Sequence, residues 1–98
     1  MYARLTTIVF EAPEADLAGS LFEQILPIVR EFDGFKGLLM LAGMDDGHFA
    51  ALTLWSSAEA LAAAEPTLEG IKQAETAHRA VKSKQTVRYY VAGSSLDT

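Results

Sequence analysis

The middle of the chain, from Phe35 to Trp55, constrains the fold more than any other part. Residues 35–43 (FKGLLMLAG) form a nearly continuous apolar run, short enough for a strand that is buried on both faces. Residues 45–47 (DDG) have the composition of a tight turn, and residues 48–55 (HFAALTLW) form a second strand-like run. We therefore predict a β-hairpin in the middle of the chain.

One helix pattern and one strand pattern lie on each side of this hairpin. β-branched and aromatic residues predict the strands, and apolar residues within one arc of a helical wheel predict the helices. Ser56 and Glu59 form a capping box that opens the second helix, and Glu65-Pro66 is predicted to break and restart it. The predicted elements are strand 2–10, helix 14–32 with Pro27 on its polar side, a short helix from 56 followed by a second piece over 67–81, and strand 85–92.

The order of these elements is β-α-β-β-α-β, which is the split arrangement of ferredoxin-like α+β domains. It implies a four-stranded antiparallel sheet with both helices on one face. We expect a single domain over residues 1–93 and a polar tail over residues 94–98. The hairpin strands carry apolar residues on both faces, but the helices cover only one face. The second face therefore needs a partner.

The charge and the residue content exclude several classes of function. Thirteen Asp and Glu outnumber eight Lys and Arg, and the net charge of -5 argues against a nucleic-acid binder. Without cysteine, and with only two histidines, the chain offers little for a metal site. The sequence contains neither a signal-peptide pattern nor an apolar run long enough to span a membrane, so we expect a cytoplasmic protein with no metal or organic cofactor.

Two short segments resemble motifs of the dimeric α+β barrel superfamily. Residues 32–37 (FDGFKG) resemble its PGF-x-G segment, with Asp33 in place of the usual Pro, and residues 55–60 (WSSAEA) resemble its W-x-S-x-E-A segment. Together they point to the antibiotic biosynthesis monooxygenase-like branch. The resemblance implies a homodimer in which two open sheet faces close on each other. Members include cofactor-independent oxygenases of polycyclic phenols, haem-degrading oxygenases, lactone isomerases and proteins without a known activity.

Trp55 matches the family tryptophan at the end of the third strand. The resemblance implies that its indole N–H lies in a pocket between the sheet and the helices, where it orients a phenolic oxygen. The alternative is an aromatic anchor between the strand and the helix layer. Ala51 and Leu61 stand where the quinone-forming monooxygenases have Asn and Tyr, which favours the alternative.

His78 falls within the apolar arc of the second helix and is predicted to point inward. Three interpretations remain open: a core histidine bonded to the backbone, a general acid or base, or the haem ligand that a histidine on this helix provides in the haem-degrading relatives. Those relatives also use a Trp and an Asn, and Ala64 and Thr6 or Thr7 occupy those regions here.

Arg4 and Arg88 are predicted to be neighbours, because the first and last strands are adjacent in a ferredoxin-like sheet. Two close guanidinium groups need compensating negative charge. The two candidates are an ion pair across the subunit interface, which the thirteen acidic residues favour, and a bound anion such as a phenolate.

The leading functional hypothesis is therefore a cofactor-independent monooxygenase that acts on a small aromatic or polycyclic substrate. In this hypothesis Trp55 orients the substrate, His78 accepts a proton and Arg88 stabilises the anion. The alternative is a non-catalytic ligand-binding or interaction module on the same scaffold. A haem-binding or haem-degrading protein is the third hypothesis.

Overall fold

The computed structural model describes residues 1–11, 16–44, 47–77 and 79–96 of the chain. The predicted β-α-β-β-α-β order is confirmed. The elements are β1 (Tyr2–Phe10), α1 (Leu17–Val29), β2 (Phe35–Ala42), β3 (His48–Trp55), α2 (Ala58–Thr76) and β4 (Val81–Tyr90). In the described residues, no helix is long and apolar enough to cross a bilayer.

The four strands form one antiparallel sheet in the order β2-β3-β1-β4. The predicted hairpin is confirmed, since β2 pairs with β3 from Phe35 to Ala42. Alternate residues of β1, such as Ile8 and Phe10, share one buried cluster with residues from both helices. Both helices therefore cover the same face of the sheet.

Helix α1 packs on this face through Ala18, Leu21, Ile25 and Val29, at the three- and four-residue spacing of one helix side. Pro27 lies within the helix and is exposed, as predicted. The helix ends at Val29 rather than at residue 32, because the chain tightens there: the Phe32 N–H donates to the carbonyl of Val29, three residues back.

The turn between α1 and β2 lies against the start of α2. Gly34 has a φ of 84°, and a Cβ atom at this position would lie 2.5 Å from the Ala60 Cβ and 2.7 Å from the Ser56 Oγ. The Ser56 N–H donates to the Gly34 carbonyl at 2.8 Å. Glycine is therefore required here both for its backbone conformation and for its lack of a side chain.

The predictions for α2 were wrong in three respects. The N-cap is Ser57, whose hydroxyl accepts from the Ala60 N–H at 3.1 Å, and not Ser56. The helix continues through Pro66 without a break, since Pro66 is exposed and buried side chains on both sides of it hold the helix to the sheet. It also ends at Thr76, five residues before the predicted end.

Strand β4 begins at Val81, a residue that the helical pattern had assigned to α2, and it ends at Tyr90. The residues that follow Val81 in the strand are Lys82, Ser83 and Lys84, which are exposed. β4 is an edge strand that pairs with β1, and charged residues are common on such edges. Because these residues are polar, a pattern of apolar residues does not predict the first part of β4.

The face of the sheet that points away from the helices carries a continuous apolar row. Leu39, Leu52, Leu5 and Val87 lie opposite one another across all four strands. Leu41, on the same face, is 51% exposed. We call this surface the open face.

Candidate functional site

A cavity of about 60 Å³, partly open to solvent, lies between the sheet and the two helices. Its floor is formed by the helix-facing residues of β1, β2 and β3, and its other walls by α1 and α2. The lining is mainly apolar, with charged and hydroxyl groups contributed by β1, β3 and α2. The lining residues are Arg4, Thr6, Ile8, Leu21, Ile25, Leu38, Met40, Phe49, Ala51, Thr53, Leu68, Ile71, Lys72 and Glu75.

Arg4 is the central polar residue of the cavity wall and is only 5% exposed. Its Nε donates to the Glu65 Oε2 at 2.7 Å and its Nη2 to the Glu69 Oε2 at 2.8 Å. Its Nη1 donates to the Thr6 hydroxyl at 3.2 Å. The guanidinium charge is thus compensated by two carboxylates of α2, which allows it to remain in a largely apolar layer.

Glu65 connects this buried arginine to the surface. Its second carboxylate oxygen accepts from the Nε of Arg88, whose side chain is 60% exposed. Partial burial acts to raise the pKa of Glu65, but the hydrogen bonds and charges of Arg88 and Arg4 outweigh it and hold the pKa below its usual value.

Glu69 and Lys72 extend the network along α2. The Lys72 Nζ lies 2.9 Å from the Glu69 Oε1 and donates to the Thr86 hydroxyl at 3.1 Å. The hydrogen bond from Lys72 is the main cause that lowers the pKa of Glu69; partial burial opposes it, and the Lys72 and Arg4 charges add to it. We call Arg4, Glu65, Glu69, Lys72 and Arg88 the charged network. With three cations and two carboxylates, it carries one net positive charge.

Thr53 lies directly opposite Arg4 in the β1–β3 register and forms part of the cavity wall. It is 5% exposed, and its hydroxyl has no hydrogen-bond partner among the described residues. A buried hydroxyl that lacks a partner is destabilising. Thr53 thus combines burial, a missing hydrogen bond and a position beside a charged group.

Trp55 is fully buried and lies outside the cavity lining. Its ring packs edge to face against Phe32 and Phe35, with centroids 6.3 Å and 5.6 Å away. Its Nε1 has no hydrogen-bond partner among the described residues. This geometry is that of an aromatic anchor, one of the two roles predicted for this residue.

Arg88 lies directly opposite Arg4 in the β1–β4 register, so the predicted closeness of the two arginines is confirmed. Both arginines bind Glu65 of the same chain, and the ion pair across a subunit interface stays a prediction. Arg88 does not line the cavity but a shallow groove with Tyr2 and Tyr90. The role of His78 stays a prediction, because this residue lies outside the described part of the chain.

The sequence analysis missed Thr53 and the two carboxylates of α2. Glu65 and Glu69 are four residues apart, and so lie on one side of a helix, but the predicted break at Pro66 separated them. Thr53 precedes Trp55 by two residues and therefore shares its face of β3. The two-residue spacing between Thr53 and Trp55 is the feature of the sequence that could have predicted that Thr53 faces the helices.

The cavity does not fit a haem. Pockets that bind drug-sized organic molecules have volumes of roughly 300–1,000 Å³, whereas this cavity measures about 60 Å³. Across residues 1–11, 16–44, 47–77 and 79–96, no group of three His, Cys, Asp or Glu side chains is arranged to hold a metal ion.

The fold is shared with solved oxygenase structures. A monooxygenase from the ActVA-Orf6 gene of Streptomyces coelicolor, in complex with nanaomycin D, is 18% identical over 99% of this chain and 92% of its own, with a TM-score of 0.73. SnoaB, a cofactor-independent oxygenase from Streptomyces nogalater, is 14% identical over 98% and 97% of the two chains, with a TM-score of 0.73. The expected antibiotic biosynthesis monooxygenase-like fold is thereby confirmed.

The same fold occurs in a protein that carries a porphyrin. A mutant of MhuD with two manganese protoporphyrin IX molecules in each active site is 20% identical over 96% of this chain and 97% of its own, with a TM-score of 0.66. No protein-family model matches the sequence, and no curated protein does. The comparisons therefore establish the fold, while the chemistry has to be argued from the cavity.

Proposed function

We propose that this protein is a cofactor-independent oxygenase that oxidises a small aromatic molecule bound between the sheet and the helices. The observation that carries the proposal is the cavity, which is apolar over most of its lining and has the buried Arg4 on one wall. Its fold is shared with a protein described as a cofactor-independent oxygenase. An apolar pocket with a few convergent polar groups is the usual form of a small-molecule site.

In the proposed reaction the substrate supplies the electrons. It loses a proton to give a carbanion or phenolate, which reacts with O₂; at a methylene carbon, one oxygen atom replaces two hydrogens and the other leaves as water. The protein has to hold the substrate, exclude water and accept the proton. We assign the proton to His78 and the stabilisation of the anion to Arg4. Arg88 becomes a positioning residue that acts through Glu65.

The volume of the cavity limits the size of the substrate more strictly than the sequence predicted. An engineered cavity of about 150 Å³ holds one benzene molecule, and the cavity here measures about 60 Å³. A single ring would occupy it only by extending into its open side. A substrate of one to three rings would therefore place part of its ring system outside the enclosed volume, in the open side of the cavity.

A non-catalytic binding module remains the second candidate, and the position of Trp55 favours it. The indole ring packs against Phe32 and Phe35, its N–H is buried, and the residue does not line the cavity. Ala51 also contributes only a methyl group to the cavity floor. A module of this kind would bind the same ligands without consuming oxygen.

Oxygen consumption distinguishes the two candidates. The wild type should consume O₂ with anthrone or naphthols without flavin, nicotinamide or metal, and a chelator should leave the rate unchanged. Trp55→Phe removes the N–H and keeps most of the packing; a Trp55 that orients the substrate predicts a rate loss of at least about tenfold. Binding without oxygen uptake across the panel would support the module. Uptake at full rate in Trp55→Phe would refute the orienting role that the sequence predicted for Trp55, and uptake at full rate in His78→Ala would refute the assignment of the proton to His78.

We also propose that the protein is a homodimer that closes through the open face. The row of Leu39, Leu52, Leu5 and Val87 crosses the whole sheet, and Leu41 beside it is half exposed. An uncovered apolar patch of this kind favours association. Pairing two such faces would bury both.

A further inference from the structure

We propose that the occupant of the cavity is a small aromatic carboxylate and that Arg4 and Thr53 hold its charged group. This inference rests on the proposed function because it concerns the same cavity, but it does not require any reaction with oxygen. Three features support it: the free N–H groups of Arg4, the unpartnered hydroxyl of Thr53, and the charge of the cavity lining.

The guanidinium of Arg4 has donors to spare. Three of its five N–H groups are used by Glu65, Glu69 and Thr6. One N–H on each of the two terminal nitrogens has no partner among the described residues. Two N–H groups are what a guanidinium uses when it binds a carboxylate in the bidentate mode. Arg4 is therefore both fixed in position and incompletely satisfied.

Thr53 provides the third donor next to this arginine. The two residues are paired across β1 and β3, and directly opposite residues have Cβ atoms about 4.5–5.5 Å apart. The Thr53 hydroxyl lacks a partner among the described residues, so a ligand oxygen would supply its missing hydrogen bond. A carboxylate accepts from several donors at once, and a neutral phenol does so less well.

The charge of the site also favours an anion. Of the described residues that line the cavity, Arg4 and Lys72 are cationic, and Glu75, which is paired with Arg79 at 3.3 Å, is anionic. The lining itself therefore carries one net positive charge, while Arg88 lies outside it. A monoanion would balance this charge in a layer where isolated charges are costly. An aromatic acid is ionised at neutral pH, whereas a simple phenol is not.

The apolar part of the cavity lining indicates which chemical group the ligand carries besides its carboxylate. Beyond the polar wall the lining consists of aliphatic side chains and the ring of Phe49. Flat apolar groups gain most from such a lining. A benzoate or naphthoate would place its carboxylate at Arg4 and extend its ring towards the open side.

The test measures binding of 2-naphthoate, 2-naphthamide and 2-naphthol to the full chain by titration calorimetry at pH 7. The acid should bind with one site per chain and at least about tenfold more tightly than the amide, because hydrogen bonds to charged groups are the stronger ones. Equal affinity for acid and amide would overturn the charge argument. No saturable binding of the acid to folded wild type would overturn the proposal as a whole.

Substitutions of single residues test whether the acid binds at Arg4 and Thr53. Thr53→Val, which keeps the shape and removes the hydroxyl, should weaken 2-naphthoate by about five- to tenfold, and Thr53→Ser should restore most of the affinity. Thr67→Val, the same exchange outside the cavity lining, should have no effect. Arg4→Lys keeps the charge but loses the planar fork and should weaken the acid by at least about tenfold. Unchanged affinity in Thr53→Val or in Arg4→Lys, each shown to be folded by circular dichroism, would place the acid elsewhere.

Different results would refute the oxygenase proposal and the proposal of an aromatic carboxylate ligand. Oxygen uptake with phenols but no binding of the acid would leave the oxygenase and remove this inference. Binding of the acid that depends on Arg4 and Thr53, without oxygen uptake, would leave the inference and remove the oxygenase.

Discussion

Replacing Glu65 by glutamine tests how the charged network stabilises the fold. The Glu65 side chain is 18% exposed and binds Arg4 and Arg88 at the same time. Breaking a buried ion pair on one side costs about 3–5 kcal/mol. Here Arg4 keeps Glu69, and glutamine keeps one acceptor oxygen. We therefore expect a loss of about 2–3 kcal/mol, which for a domain of this size corresponds to roughly 10–20 °C in Tm.

The effect of Glu65→Gln should depend on pH in a defined direction. Partial burial acts to raise the pKa of Glu65, but Arg88 and Arg4 outweigh it and hold that pKa below its usual value. A carboxyl with a lowered pKa in the folded state contributes stability above its unfolded pKa and loses it as the pH falls through the folded value. The wild type should therefore be more stable than the variant at pH 7, and the difference should disappear in acid.

Urea unfolding at pH 7 and at steps down to pH 3 measures both effects. Glu23→Gln, on the exposed side of α1, is the matched control and should change the free energy of unfolding by less than about 0.5 kcal/mol. A Glu65→Gln variant within about 0.5 kcal/mol of wild type at pH 7 would refute the proposed role of the network. A large difference that does not change with pH would show that packing, rather than charge, is responsible.

Further outcomes are expected for the oligomeric state, for two glycine positions and for haem binding. Light scattering should give twice the 10.6 kDa chain mass, and Leu41→Lys should give a folded monomer; a monomeric wild type would contradict the open-face dimer. Gly34→Ala should lower the free energy of unfolding by at least about 1–2 kcal/mol, because its Cβ would lie 2.5 Å from that of Ala60. Gly19→Ala, at an open helical position, should instead raise it by about 0.5–1 kcal/mol. Haem titration should leave the free-haem Soret band unchanged; a saturable shift that His78→Ala abolishes would contradict the volume argument.

Most of the fold was predictable because its signals are local. The hairpin from Phe35 to Trp55 combines two apolar runs with a turn, and strand alternation sufficed to place Arg4 and Arg88 side by side. The predicted secondary structure was wrong where the local sequence pattern favours one structure and tertiary packing favours another. Pro66 normally interrupts a helix, but packing on the sheet carries α2 through it, and Val81 fits the helical periodicity although it begins an edge strand.

The site was less predictable because its contacts join distant parts of the chain. Arg4 binds carboxylates that follow it by 61 and 65 residues. The sequence indicates that the arginine needs negative charge, but it does not say which of thirteen acidic residues provides it. The missing hydrogen bond of Thr53 is likewise visible only when the neighbouring side chains are in place.

The arrangement in which Arg4 and Arg88 face each other with Glu65 bound to both also limits how this sequence can evolve. Losing Arg4 alone would leave the partly buried Glu65 with only the exposed Arg88, and losing Glu65 alone would leave two arginines side by side. Arg88 can change first, because its side chain is mostly in water. Positions 4 and 65 then have to change together, so relatives that lack the arginine at position 4 are expected to lack the acid at position 65 as well.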